Sequence, residues 1–188
     1  LLYGKAIPCA KTVMSIPRST GQCPVYYNCF ATGRPKTRDI PTVMGGDMWS
    51  TGYDDEYNSP LYPFGYGLSY TKFEYAKLTL SGNTMARGGR LTASVRVKNV
   101  GAVDGTETVQ WYLRDLFASV VRPLKELKGY ERAFLKVGEE KEIFFEITED
   151  MLKFYTESGE YAAELGAFEL FVGGNSRDCL KADFQLVD

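Results

Sequence analysis

A seven-stranded antiparallel β-sandwich, preceded by an extended and mostly irregular arm, is the fold class this sequence predicts. Three observations carry it. Beyond Tyr70 the side chains alternate apolar and polar, as half-buried strands require. These short runs are separated by turn pairs, and no apolar stripe at helical spacing competes with them. A chain of 188 residues with 44% apolar content suffices for one full domain plus a smaller piece beside it.

The arm comes first. Residues 1–70 hold one convincing strand, at 12–16, amid prolines, glycines and polar residues, which is too little for a core of their own. They are expected to lie on the sandwich or on a neighbouring copy, arm exchange being a low-cost route to a homodimer. The sandwich opens with a strand at 73–80. Leu91, Ala93, Val95 and Val97 then share one face opposite Thr92, Ser94, Arg96 and Lys98, and Val109, Trp111 and Leu113 alternate with Thr108, Gln110 and Tyr112. Asp104-Gly105 is a favoured turn pair and predicts that these two strands are joined there. Ile143, Phe145 and Ile147 form the next inward set, then Phe168, Leu170 and Val172, and last Ala182, Phe184 and Leu186. Gly88-Gly89, Gly138-Glu139 and Gly173-Gly174-Asn175 supply corners, and only residues 149–155 suit a helical turn.

Composition removes several classes of function. A net charge of -2 with 22 scattered basic residues leaves no stripe to follow a phosphate backbone. No run of eighteen apolar residues is present, so no membrane span is predicted, and residues 1–5 lack the layout of a signal peptide and an initiator Met, which reads as a cut inside a longer protein. The chain has no His, which removes Ser-His and Cys-His pairs, His-ligated zinc and His general bases. Asp54-Asp55-Glu56 reads as a solvated turn: adjacent acids in a loop lack the opposed, buried geometry of an acid/base pair, and their spacing is unlike a calcium loop. Gly45-Gly46-Asp47 and Gly173-Gly174-Asn175-Ser176 lack the ending of a phosphate loop and read as turns. No cofactor and no metal are implied.

Residues 59–71 read Ser-Pro-Leu-Tyr-Pro-Phe-Gly-Tyr-Gly-Leu-Ser-Tyr-Thr, with two prolines to hold the backbone extended and two glycines to permit turns. Tyr62, Phe64, Tyr66 and Tyr70 are too apolar to be left in water, so the tract is an ordered strap. It resembles the tract that joins the second catalytic domain of family 3 glycoside hydrolases, the β-glucosidases, β-xylosidases and relatives, to their C-terminal fibronectin type III-like domain. Flanking blocks agree: residues 16–28 with 32–35 resemble the end of the family's α/β sandwich domain, and 97–101, 105–115 and 122–130 resemble its fibronectin-like domain. Residues 36–57 match least. Ile7-Pro8-Cys9-Ala10 stands where relatives carry Asn-Pro-Ser-Gly, and Val137 where a turn proline is common.

The resemblance implies a remnant of the α/β sandwich domain at 1–35, a linker at 36–70 and a fibronectin type III-like (immunoglobulin-like) sandwich at 71–188. It also implies a periplasmic or secreted parent that removes β-linked glucose or a related sugar from non-reducing ends. Family 3 enzymes resemble the retaining pattern, with an Asp nucleophile and, in β-glucosidases, a Glu acid/base. Both motifs would lie before Leu1, so no catalytic residue carries over and the substrate-binding residues are unknown. The implied partners are the upstream catalytic domains and, through them, a β-linked oligosaccharide; the alternative is an autonomous adhesion or carbohydrate-binding module.

Two further sets of residues have more than one reading. Tyr53, Tyr57, Tyr62, Tyr66 and Tyr70 could stack on sugars or fasten the strap, and the prolines and glycines between them favour fastening. Arg18 suits an ion pair or backbone clamp better than substrate contact. Cys9, Cys23, Cys29 and Cys179 permit two disulfides or none, an exported protein being one in which bridges persist.

Overall fold

The computed structural model describes residues 1–36 and 38–188. Beyond the arm, β1 (Phe73–Leu80), β2 (Thr84–Ala86), β3 (Arg90–Asn99), β4 (Gly105–Asp115), β5 (Glu126–Leu135), β6 (Glu140–Thr148), β7 (Phe154–Tyr155), β8 (Tyr161–Ala162), β9 (Gly166–Gly173) and β10 (Cys179–Val187) follow in order. A three-stranded sheet β1-β3-β6 faces a five-stranded sheet β2-β10-β9-β4-β5, and β7 and β8 form a separate small hairpin. Alternate residues of both sheets make one core: Leu91, Val95 and Val97 from β3, Val109, Trp111 and Leu113 from β4, Ile143 and Ile147 from β6, and Phe168, Leu170 and Val172 from β9. These are the inward sets that the alternation predicts, because a strand covered on one face must bury every second side chain.

Several expectations need correction. The sandwich has eight strands in its two sheets, and β2 runs parallel to β10, pairing Met85 with Leu186. With three residues and one inward side chain, β2 shows no alternation in the sequence. β5 escapes for a different reason. It is the edge of its sheet, and only Ala133 and Leu135 of it are buried, so charged residues at Glu126, Lys128, Glu131 and Arg132 break up any alternation. A bulge shifts its register between Trp111 and Tyr112. Gly129 sits there because a Cβ would stand 2.6 Å from Phe145, whose ring stacks on Trp111 at 5.1 Å.

The turn pair Asp104-Gly105 does not close a hairpin. β3 and β4 lie in opposite sheets, and the connection crosses between them. Hairpin logic fails because both strands need the core on one side, a condition that two facing strands also meet. Residues 12–16 form no strand; Ile16 makes one isolated antiparallel bridge to Tyr62. Within 149–155 only Glu149–Met151 forms a 3-10 turn, and Phe154–Tyr155 is β7.

Asn99 holds the crossover. Its amide nitrogen donates to Val103 O (2.9 Å) and Leu135 O (3.1 Å), while its oxygen accepts from Thr71 Oγ1 (2.6 Å) and Gly101 N (3.1 Å). One fully buried amide therefore ties the entry to β1, the end of β3 and the end of β5. Asn99→Ala strands several buried polar groups and should cost about 2–3 kcal/mol in urea unfolding. Asn83→Ala, at an exposed turn, should stay within about 0.5 kcal/mol.

Candidate functional site

Thr108, Gln110 and Tyr112 point away from the core, and a strand in a one-sided sheet would give them to water. Instead Tyr112 is fully buried and Gln110 is 3% exposed, because the arm lies across them. Gln110 Nε2 donates to Gly65 O (3.1 Å) and Gly174 O (2.7 Å), and its Oε1 accepts from Tyr112 Oη (2.6 Å). Gly65 has φ +77°, and any side chain there would run into Gln110, so glycine is required by both conformation and contact. Tyr27 stacks on Phe64 at 4.3 Å and meets Tyr112 edge-on at 5.7 Å. Two backbone bonds and one from a side chain complete the seam: Ser176 N donates to Phe64 O, Leu124 N to Cys29 O, and the Thr108 hydroxyl to Cys9 O.

At the rim of the core Glu107 is 5% exposed. Lys11 of the arm reaches it at 3.1 Å and 3.3 Å, and Tyr75 Oη of the opposite sheet donates to it at 2.9 Å. Burial first, then the negative Glu107, pushes the Tyr75 phenol well above its usual range; burial does the same for Tyr112. Both phenols remain protonated donors. Lys11 thus joins the arm to the sandwich through a desolvated ion pair.

The arm is tied to itself by Gln22, which is 1% exposed. Its oxygen accepts from Arg18 N (2.7 Å), and its amide donates to Tyr57 O (2.9 Å) and Ser59 O (3.0 Å). Arg18 adds a bond from Nε to Ser59 O (3.0 Å) and lies 4.9 Å from the Tyr57 ring centroid, so it acts as a backbone clamp. Thr12 N donates to Tyr66 O and Gly65 N to Thr12 O.

The remaining sequence candidates fall apart as a site. Asp54 and Asp55 are exposed, and no group of three or more acidic or Cys side chains gathers among the described residues. Asp47 accepts from Trp49 N within its turn. Gly173-Gly174-Asn175-Ser176 is the β9–β10 turn and seats the strap, a role its composition does not announce. Tyr62 and Tyr66 pack on each other at 4.8 Å, Tyr70 Oη donates to Leu1 O, and Tyr53 N is held by Asn58 Oδ1. Tyr57, Tyr62 and Tyr66 serve the strap, although Tyr62 and Tyr70 keep much of their surface in water. All four cysteines are free.

Sequence reasoning missed Lys11, Gln22, Glu107 and Gln110. Polar residues at surface-like positions carry no mark of burial unless the covering segment is known. It also missed Asp115 at the end of β4, whose carboxylate accepts from Phe117 N (3.2 Å). Burial pushes this acid up to about 6, against opposing pulls from that bond and from Arg122. Glu164, near it, accepts from Ser119 N at 2.7 Å and is held below its usual range by Ser119.

Two outcomes follow from this geometry. Lys11→Met leaves Glu107 buried with Tyr75 as its remaining side-chain donor. It should cost roughly 2–3 kcal/mol in urea unfolding, with some water contact at Lys11 softening the loss. Protease cutting of the arm should quicken, and adding Glu107→Gln should restore part of the stability. For Asp115 the folded value lies above the ordinary 3.8, so its contribution is fully present below that value and is lost as pH rises toward 6. Asp115→Asn should therefore match the wild-type melting temperature in the most acidic buffers and exceed it at neutral pH.

A family model for the fibronectin type III-like domain matches residues 107–176. The chain is 45% identical over its full length to a periplasmic β-glucosidase of Salmonella typhimurium, of which it covers 24%, and 38% identical to a putative β-xylosidase of Formosa agariphila, covering 99% of this chain and 23% of that protein. The crystal structure of a β-glucosidase from Listeria innocua in complex with glucose superposes on the whole chain with a TM-score of 0.89 at 40% identity, over 25% of its own length. The chain thus spans about a quarter of the length of these relatives. No helix among the described residues is long and apolar enough to cross a membrane. A fibronectin-like sandwich bound along its outer face by a Tyr- and Pro-rich strap is thus similar from end to end to part of these β-glucosidases and of this putative β-xylosidase, and its residues 107–176 match the fibronectin type III-like domain family.

Proposed function

We propose that this chain is the non-catalytic C-terminal part of a glycoside hydrolase that removes β-linked glucose, or a related sugar, from non-reducing ends, and that its sandwich buttresses the catalytic domains. The match of essentially the whole chain to a quarter of each of several proteins named β-glucosidase or β-xylosidase carries this reading. In it, residues 1–35 complete the α/β sandwich domain, 36–70 form the linker and 71–188 form the supporting domain. The chain supplies no catalytic residue; the two carboxyl groups of retaining hydrolysis belong to the preceding domains.

The arm supports the same reading. Leu2, Tyr3, Val13, Val43, Met48 and Trp49 are each at least 70% exposed, an apolar surface of the kind that a partner covers. In the parent that partner is the pair of upstream domains. The name of the Salmonella relative supports a periplasmic or secreted location. An independent adhesion module would have no use for an arm whose outer surface is apolar.

The test is hydrolysis of an aryl β-glucoside by this chain and by the same protein extended upstream through both catalytic domains. Turnover by the extended protein alone is expected. Turnover by the short chain would place a carboxylate pair within it and overturn the reading.

A further inference from the structure

A cleft of about 370 Å³ opens along the clamp, between the arm and the outer face of the β4–β9 pair. Ser15, Tyr26, Arg114, Lys125, Phe171 and Arg177 line it, and none of its lining residues is acidic. In a chain of net charge -2, three cations converging on one cleft without a lining carboxylate are a local reversal of charge. Arg114 pairs with Glu169 at 3.1 Å, an acid that Lys181 shares at 2.6 Å. Lys125 is held by neutral groups, donating to Ser176 O (2.7 Å) and standing 4.2 Å from the Phe171 ring centroid. Arg177 reaches Pro60 O at 3.5 Å and Asp178 at 3.6 Å, both long contacts. The cations therefore keep donors to spare for an anion.

The other walls are apolar and flat. Tyr26 is 52% exposed and keeps a face for a ligand, while half-buried Phe171 already carries the Lys125 ammonium over its ring. Ser15, 9% exposed, lines the cleft, and its hydroxyl is buried without a hydrogen-bond partner among the described residues. The volume lies near the lower end of the roughly 300–1,000 Å³ of small-ligand sites, which suits the end of a short saccharide better than a long chain. A free inorganic anion would leave the Tyr26 ring idle, and a neutral sugar would leave the cations idle. The geometry points to a binding site for a hexuronate, a sugar ring that lays its C–H face on Tyr26 and places its carboxylate among Arg114, Lys125 and Arg177. This site lies on the supporting domain's own seam and requires no catalytic residue.

Titration of the intact chain, followed by calorimetry and by NMR of the aromatic side chains, tests it with four probes: methyl β-glucuronide, methyl β-glucoside, acetate and inorganic phosphate. The glucuronide should saturate, shift Tyr26 and Phe171 signals, and bind about tenfold more tightly than each of the others, the gain of one charge-assisted hydrogen bond. Arg177→Gln and Tyr26→Ala, both at exposed positions, should each weaken it severalfold with the fold unchanged, and added salt should weaken it further. Glucoside binding as tight as glucuronide would remove the cations from the site. Acetate or phosphate binding as tight would reduce it to an anion patch. No saturation, or no response to either substitution, would overturn the proposal outright.

Discussion

Everything in this structure depends on β4 being covered twice. Its inward residues, Val109, Trp111 and Leu113, close the sandwich core, and its outward residues, Gln110 and Tyr112, are sealed by the arm. A buried Gln amide without partners would cost a few kcal/mol, on the order of 1–3 per unsatisfied group. Gly65, Gly174 and Tyr112 remove that cost together. The polar seam thus demands a particular path from the arm: a glycine with positive φ at 65, a ring at Phe64 and a turn at 174 that offers its carbonyl. Hydrophobic burial alone would let the strap slide, whereas this set of donors and acceptors gives it one register.

The arm in turn is ordered without a sheet. Gln22 and Arg18 tie residues near 18 to those near 58, Thr12 pairs with Gly65 and Tyr66, and Lys11 anchors one end in the core rim through Glu107. Backbone groups that a strand ladder would satisfy are satisfied by side chains instead. The inner surface of the arm is therefore fastened while its outer surface stays apolar and open. A segment of this kind couples a rigid sandwich to whatever covers that outer surface, which is the role a supporting domain requires.

The core was legible because period-2 alternation is a direct consequence of a one-sided strand, and Leu91, Val95, Val109, Ile143, Leu170 and Phe184 all show it. β5 was hidden by being an edge rich in charge, and β2 by being three residues long. Asp104-Gly105 has turn chemistry, but turn chemistry does not say whether the next strand pairs alongside or crosses to the other sheet. The strap was read as ordered from its prolines, glycines and rings, and it is. Its receptor was invisible, since Gln110 and Glu107 look like surface residues until the arm is laid over them. Gln22 lies inside a block that resembles the family, yet a lone glutamine gives no sign of the carbonyls of Tyr57, Asn58 and Ser59 that its amide meets.

The claim that the arm and sandwich form one folded unit can be tested by native-state hydrogen exchange at the amides of Thr12, Gly65 and Ser176, whose bonds run along the strap and across the seam. The double covering of β4 predicts that these amides exchange with protection close to that of β4 itself, opening only when the sandwich opens. Unprotected exchange at Thr12, Gly65 and Ser176 while the β4 amides remain protected would show that the arm is not clamped and would contradict the account.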